Sequence, residues 1–207
     1  SVTIHKEHGI RLKLDVRQVY FSPRLATERL RVNDSVCDGE RILDMFCGIG
    51  PFPVLIAKNH DVDIAAVDIN EDAIKYLNEN IRINKLKGNV KAYCGDVREV
   101  SKSFNHKFDR IIMNLPGLAY TFLDVAADLI EDGGTINYYE FSDSYEQGIK
   151  RLTDAVESRG MEVEIINTRK VKSTSPGEWH VAIDGKAYTA DENADVQHDK
   201  AVIHQSH

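Results

Sequence analysis

Apolar and charged residues alternate near the start of the chain, between Ile10 and Val16. This period of two is typical of a half-buried strand. A second short strand at 2–5 can pair with it across a turn at 7–9 and form a hairpin. Because an isolated hairpin is only marginally stable in water, we expect it either to belong to an upstream domain or to pack on the residues that follow.

From residue 41 onward, short apolar runs alternate with segments of helical periodicity. In one helical segment, Ile74, Leu77 and Ile81 share a face and Asn70 is a candidate N-cap. Strands are predicted at 41–45, 63–68, 89–93, 109–113, 135–141, 161–168 and 178–188. Helices are predicted at 52–59, between Asn70 and Ile81, at 121–130 and at 144–158. The last two strands are separated by a polar loop and no helix, which predicts an antiparallel edge.

This alternation predicts an α/β fold with a Rossmann-like, doubly wound and mostly parallel seven-stranded sheet, preceded by a short β-hairpin. We divide the chain into an N-terminal hairpin and linker helix at 1–32, a sheet domain at 33–188 and a tail at 189–207. The chain opens on Ser1, and we interpret its first part as the stub of an upstream domain of a longer protein. The tail is polar and without periodicity, so we expect it to be disordered.

Composition narrows the function classes. The 207 residues carry 26 Lys and Arg against 33 Asp and Glu, a net charge of −7, which disfavours indiscriminate nucleic-acid binding but not a local basic site. No apolar run approaches the roughly 18 residues of a membrane span. Cys37, Cys47 and Cys94 lack metal-site spacing. We therefore expect a cytoplasmic, monomeric protein with reduced thiols, no metal and no membrane partner.

The turn after the first strand of the sheet carries Asp44, Gly48 and Gly50. A dinucleotide-binding turn needs a third glycine where this chain has Pro53, so NAD is disfavoured. An acidic residue here repels a pyrophosphate and attracts a cation. S-adenosylmethionine, which has an ammonium, a sulfonium and no phosphate, suits this turn.

Two more acidic residues follow the next strands. Asp68 ends the second strand, where a carboxylate can accept both hydroxyls of a ribose. Asp96 follows the third strand and is either a helix N-cap or a contact to an adenine amino group. Because strand ends of a parallel sheet meet at one edge, the ordered set predicts a site for S-adenosylmethionine.

Two further segments are candidates for the acceptor side. Asn114 ends the fourth strand and can orient an acceptor nitrogen, although Pro116 and Gly117 can also form a simple turn there. A short helix after Pro23 carries Glu28 and Arg29. A carboxylate and several arginines can act as a base and as phosphate contacts, but the residues alone favour a linker helix with solvated charges.

Four stretches carry a resemblance to a known family: Tyr-Phe-Ser-Pro-Arg-Leu-Ala-Thr-Glu-Arg at 20–29, Asp-Met-Phe-Cys-Gly-Ile-Gly-Pro-Phe at 44–52, Asn-Leu-Pro at 114–116 and Ser-Pro-Gly-Glu-Trp-His at 175–180. Together they resemble the catalytic domain of the archaeal and eukaryotic tRNA (guanine(37)-N1)-methyltransferases. Members of that family are class I S-adenosylmethionine-dependent methyltransferases, which modify the guanosine 3′ of the anticodon. The resemblance implies S-adenosylmethionine as cofactor and the tRNA anticodon region as partner.

The resemblance also implies residue roles. Glu28 matches the general base, Arg29 is expected to hold that base or the RNA, and Asn114 completes the catalytic set. The implied cofactor-binding residues are Tyr20, Asp44, Phe46, Gly48, Gly50, Asp68, Asn70, Asp96, Asn114 and Pro116. The family carries additional N-terminal domains, one with an assisting arginine, and this chain has only a stub of that region.

Three alternatives remain open. A related family of wybutosine biosynthesis transfers the aminocarboxypropyl group of the same cofactor, and a relative methylates a tricyclic base. The Asn-Leu-Pro and Arg-Leu-Ala-Thr stretches favour methyl transfer over aminocarboxypropyl transfer. The third alternative is a cofactor-binding fragment that is inactive without its N-terminal domains.

Overall fold

The computed structural model describes residues 1–190. Thr189, the first residue of the expected tail, is the last residue of a strand. Residues 191–207 of that tail lie outside the described part of the chain. The strands are β1 Val2–Glu7, β2 Ile10–Asp15, β3 Arg41–Asp44, β4 Asp63–Asp68, β5 Asn89–Cys94, β6 Phe108–Met113, β7 Ile130–Ser142, β8 Met161–Ser175 and β9 Glu178–Thr189. The helices are α1 Ala26–Ser35, α2 Pro51–Asn59, α3 Glu71–Ile83, α4 Val97–Val100, α5 Leu123–Leu129 and α6 Glu146–Glu157. None of the helices within 1–190 is long and apolar enough to cross a membrane.

The main sheet has seven strands in the order β5-β4-β3-β6-β7-β9-β8. Strands β3 to β7 run parallel to one another. Strand β9 is antiparallel both to β7 and to the outer strand β8. The predicted mostly parallel sheet with antiparallel pairing at one edge is therefore confirmed, and a two-stranded hairpin of β1 and β2 precedes it.

Local chemistry explains how two helices begin. The Asn70 side chain accepts a hydrogen bond from the Asp72 amide and caps α3, and the two acids of its first turn favour the helix dipole. At the start of α2, Gly50 has φ +98°. A Cβ there would lie 2.5 Å from Leu77 Cδ1, so the close approach of α2 and α3 requires glycine.

The hairpin packs on the residues that follow it. Its inner residues Ile10, Leu12 and Leu14 are at most 1% exposed and share a cluster with residues of α2 and α3. The buried Asn80 side chain of α3 bonds to both the amide and the carbonyl of Lys13, at 2.7 and 3.2 Å. These contacts cross the boundary predicted between residues 32 and 33.

Two predicted boundaries were wrong. Strand β7 starts at Ile130, inside the predicted helix 121–130, because Ile130 pairs with Phe108 before the register shifts around Gly133 and Gly134. The predicted polar loop after residue 168 is instead paired strand, which continues to the turn at 176–177. Apart from Val171 its side chains are polar, so hydrophobic periodicity carries no signal there.

Candidate functional site

A cleft lies at the carboxyl ends of β3, β4, β5 and β6, where ligands of parallel α/β sheets bind. It consists of two adjacent cavities of about 200 and 260 Å³, which share Phe46, Asp68 and Leu115 in their walls. The first cavity is lined by the predicted residues Tyr20, Arg29, Phe46, Gly48, Asp68, Asn70 and Asn114. The second cavity is lined by Phe46, Asp68 and Asp96 together with apolar side chains.

Asp68 lies between the two cavities and holds both adjoining loops. Its Oδ2 accepts a hydrogen bond from the Gly48 amide and its Oδ1 accepts one from the Asn70 amide, each at 2.9 Å. A carboxylate has about four lone-pair sites, so Asp68 can still accept hydrogen bonds from a ligand.

Asp44 is buried at the end of β3, and its Oδ2 has no hydrogen-bond partner among the described residues. The Phe46 amide donates to its Oδ1 at 3.3 Å. Burial, aided by the charge of Asp68, raises the pKa of the Asp44 carboxyl to about 7. An unpaired buried carboxylate is costly, so this position favours either a proton or a nearby cation. Asp44 supports the turn beneath the first cavity and does not itself line it.

Asp96 is the helix N-cap that one of its two interpretations predicted, and its contact to an adenine amino group stays a prediction. Its side chain caps α4 through the Arg98 amide, at 2.9 Å, and the residue also lines the second cavity. Asn70 combines the same two properties, because it caps α3 and lines the first cavity.

The Asn114 segment is a turn that also presents a polar group. Asn114 lines the first cavity, and its buried Oδ1 has no hydrogen-bond partner among the described residues. The Phe141 amide donates to the Pro116 carbonyl at 3.2 Å, which holds the turn against β7. Of the predicted cofactor set, Pro116, Gly50 and Asp44 do not line either cavity.

Glu28 is 2% exposed, so the interpretation of α1 as a linker helix with solvated charges was wrong. Arg31 pairs with both of its oxygens, the Tyr139 hydroxyl donates to Oε1 at 2.8 Å, and Arg169 lies 3.6 Å from Oε2. Asp184 holds Arg31 from its other side, at 2.6 Å. Arg31 lies on α1 itself, but Tyr139, Arg169 and Asp184 come from β7, β8 and β9, which the sequence pattern of α1 does not reveal. Glu28 does not line either cavity.

Arg29 lines the first cavity but is only 2% exposed. Its guanidinium pairs with both carboxylate oxygens of Glu7 and donates to the Ser22 carbonyl at 3.1 Å. The expected contact to the base is thus made by Arg31, not by Arg29. Arg29 instead connects the hairpin to the segment that forms one wall of the cavity.

The apolar walls of the cleft were not predicted from the sequence. Ile69, which is 73% exposed, follows Asp68 directly, and Leu118 is 54% exposed. Both line the second cavity with Leu115 and Phe122. The sequence signal for this wall was Ile69, an apolar residue in a loop directly after the acidic residue that ends β4.

A sheet of this order, with acidic residues at the ends of β3 and β4 and a glycine turn between them, defines a class I methyltransferase fold. The sequence model of the TRM5/TYW2 methyltransferase domain matches residues 3–166. The chain belongs to this family.

Two curated relatives show the range of the family. The tRNA (guanine(37)-N(1))-methyltransferase Trm5b of Pyrococcus abyssi is 48% identical over 185 residues, covering 88% of this chain and 54% of that protein. The tRNA(Phe) (4-demethylwyosine(37)-C(7)) aminocarboxypropyltransferase of Methanocaldococcus jannaschii is 37% identical over 188 residues, covering 89% of this chain and 74% of that protein. The chain thus spans about half the length of the relative at 48% identity.

Solved structures agree with the family. The crystal structure of Trm5b from Pyrococcus abyssi superposes with a TM-score of 0.84 at 46% identity, covering 90% of this chain and 56% of that one. A complex of aTrm5 with tRNALeu gives a TM-score of 0.79 at 40% identity, covering 89% and 52%. The TYW2 protein of M. jannaschii with AdoMet gives 0.82 at 35% identity, covering 91% and 87%.

Proposed function

We propose that this chain is the methyltransferase domain of a tRNA (guanine-N1)-methyltransferase, which transfers the methyl group of S-adenosylmethionine to the guanosine 3′ of the anticodon. The observation that carries the proposal is the position of Asp68 between two adjacent cavities at the strand ends. The curated relative at 48% identity has this activity in its name.

The residues of the cleft fit the cofactor. The second cavity is apolar with Asp96 in its wall, which suits an adenine ring, and Asp68 can accept hydrogen bonds from the ribose. The first cavity, with Tyr20 and Gly48, then takes the methionine part. The negative charge of Asp44 beneath this turn favours a ligand that carries an ammonium and a sulfonium.

When bound, the cofactor supplies an electrophilic methyl group. Guanine N1 would accept this methyl group in exchange for its proton, which has to leave. We propose that Glu28 accepts this proton on Oε2. Besides Arg31, Oε2 has Arg169 at 3.6 Å, whereas Oε1 has the closer Tyr139 hydroxyl at 2.8 Å. Asn114 orients the acceptor through its unpartnered Oδ1, and alignment of the reacting atoms supplies much of the rate.

The proposed partner is the anticodon region of tRNA. Although the chain has a net charge of −7, Arg169, Lys170 and Lys172 form a local basic run on β8, which can contact phosphates. We also propose a cytoplasmic monomer, and the free thiols of Cys37, Cys47 and Cys94 suit a reducing compartment.

Aminocarboxypropyl transfer is the second candidate, because an aminocarboxypropyltransferase at 37% identity covers this chain equally well. The two activities break different bonds of the same sulfonium. Parallel reactions with tRNA and cofactor labelled either in the methyl or in the carboxyl group separate them. We expect only the methyl label to enter tRNA. Transfer of the carboxyl label would establish the second candidate.

A binding domain without turnover is a third candidate, since the chain spans about half of the relative named Trm5b from Pyrococcus abyssi. Calorimetric titration with S-adenosylmethionine measures binding independently of transfer. Binding without transfer of either label would favour this candidate, and absence of binding would contradict the proposed function.

A further inference from the structure

His180 has a buried nitrogen without a hydrogen-bond partner among the described residues. The residue is 2% exposed, and its Nε2 is the unpartnered atom. Because buried polar groups are nearly always hydrogen-bonded, an unpartnered buried nitrogen indicates a group that can meet its partner in a ligand. His180 itself lines neither cavity of the cleft. Nothing in the proposed chemistry so far uses His180.

The topology brings His180 to the edge of the sheet that carries the cleft. Since β9 is antiparallel to β7, its first residues lie beside the last residues of β7, and His180 pairs with Phe141. Phe141 is tied to the turn after β6 through the Pro116 carbonyl, and its ring lies against Gly117. The hydrogen bond between Phe141 and Pro116 thus connects the strand partner of His180 to the turn that begins at Asn114.

The surroundings of His180 suit a flat, neutral base. Its ring packs edge-on against Tyr139 and Phe141, with centroids 5.4 and 5.8 Å apart. Phe141 is 41% exposed, so it offers an aromatic face to a ligand. Burial and the neighbouring Lys172 lower the pKa of His180 to about 4, so the imidazole is neutral at physiological pH and has one N–H to donate.

Basic groups surround this aromatic edge. Lys172 pairs with His180 across β8 and β9, and Lys170 lies over the Trp179 ring at 4.9 Å. Cations beside exposed aromatic rings are typical of surfaces that bind single-stranded nucleic acid, where bases stack and phosphates pair with the cations.

We propose that His180 is a base-selecting residue of the acceptor site, which donates a hydrogen bond from Nε2 to the carbonyl oxygen of the target guanine while Phe141 contacts the face of the base. This rests on the proposed function and deepens it. Guanine has a carbonyl acceptor where adenine has an amino donor. An N–H donor at this place therefore accepts guanine and leaves adenine with two opposed donors.

The test uses the whole chain and two anticodon stem-loop RNAs, with either guanosine or adenosine 3′ of the anticodon, in the presence of S-adenosylhomocysteine. The affinity for each RNA is measured by fluorescence anisotropy. In His180→Phe we expect the preference for the guanosine RNA to fall about tenfold, whereas His180→Gln, which keeps an N–H donor, retains most of it. The matched control is His106→Phe, at an exposed residue just before β6. This variant should keep the full preference for the guanosine RNA. Cofactor affinity reports whether each variant is folded.

A spectroscopic measurement on the unaltered chain accompanies the variants, so the test does not depend on their folding. The imidazole nitrogens of His180, assigned by the signal lost in His180→Gln, should shift on addition of the guanosine RNA and not of the adenosine RNA. If the RNA shifts other signals but not His180, or if His180→Phe keeps the full preference, His180 does not select the base and the proposed function is unaffected. If neither RNA shifts any signal, the tRNA substrate itself is contradicted.

Discussion

At the scale of single residues, Asp44 carries a buried carboxyl group whose charge depends on what binds beside it. Its pKa is raised to about 7 by burial and by the charge of Asp68, and the ionised form is the one that attracts a cationic cofactor. Affinity for S-adenosylmethionine should therefore rise roughly tenfold between about pH 6 and about pH 8, as the ionised fraction rises. Calorimetric titration at both pH values measures this change.

Asp44→Asn should bind the cofactor more weakly and lose the pH dependence. Asp63→Asn, at the opposite end of the neighbouring strand β4, is the control and should keep both. A pH dependence that survives in Asp44→Asn would assign it to another group.

The same pKa shift predicts an effect on stability without cofactor. The pKa of Asp44 in the folded protein is raised above its ordinary value of 3.8. The protonated carboxyl therefore stabilises the fold, and this stabilisation is fully present below pH 3.8. It is lost as the pH rises through about 7, because the buried carboxyl then has to ionise. At pH above 7, Asp44→Asn should therefore raise the free energy of unfolding, on the order of 2 kcal/mol. Urea denaturation of both proteins measures the difference, and a less stable variant would contradict the burial argument.

Glu28→Gln tests the proposed base. The substitution keeps the shape and can still accept from Arg31 and Tyr139, but it cannot take a proton. We expect methyl transfer to fall by about a hundredfold or more and cofactor affinity to stay the same. Glu131→Gln, an exposed substitution at the start of β7, is the matched control. Unchanged transfer in single-turnover kinetics would remove Glu28 from the chemistry.

Sequence reasoning predicted single residues well where their position in a strand determined their place. Asp68 and Asn114 end strands and line the cleft as expected. It failed for Glu28, whose burial depends on Tyr139 and Arg169 from strands more than a hundred residues away. Only the three-dimensional packing brings those partners to the helix.

At the scale of elements, the turn into α2 depends on Gly50. Alanine there would have a strained positive φ and would lie 2.5 Å from Leu77 Cδ1, whereas Gly39 has φ +90° with open space around it. Backbone strain costs about 1–2 kcal/mol, and crowding adds about 1–3 kcal/mol. Gly50→Ala should therefore lower the free energy of unfolding by more than Gly39→Ala does, as measured in urea. Equal losses of unfolding free energy in the two variants would show that the packing of α2 against α3 does not require glycine at position 50.

The attachment of the hairpin to α3 depends on Asn80. The side chain bonds to the backbone of Lys13 and donates to the Ile49 carbonyl at 3.0 Å, and it is fully buried. Asn80→Ala leaves these groups unpaired and should lower the free energy of unfolding by about 2–3 kcal/mol. Asn89→Ala, at an exposed site, should cost less than about 0.5 kcal/mol. If both variants are equally stable, the hairpin is not held by Asn80.

The alternation of strand and helix could be predicted from the sequence, because each parallel strand is a short apolar run with a glycine, proline or polar residue at its end. The strands β8 and β9 were harder to delimit. Beyond residue 168 the side chains of β8 are polar except for Val171, and this part of β8 pairs with β9. The predicted loop was wrong for this reason.

At the scale of the whole molecule, one edge of the sheet brings together residues that are distant in the chain. Asp44, Asp68 and Asn114 lie at the ends of three neighbouring parallel strands, β3, β4 and β6, and His180 reaches the same edge because β9 runs in the opposite direction. The hairpin supports this edge from below through Glu7 and Arg29. The residues that we propose for the cofactor and the acceptor thus all lie within the described residues, which is why we expect this chain to carry the reaction.

The most direct test is nucleoside mass spectrometry of unmodified tRNA after incubation with this chain and S-adenosylmethionine. We predict that the guanosine 3′ of the anticodon gains the mass of one methyl group, and that Glu28→Gln strongly reduces this gain. A gain of one aminocarboxypropyl group at that position, or a methyl group on another nucleoside, would contradict the account.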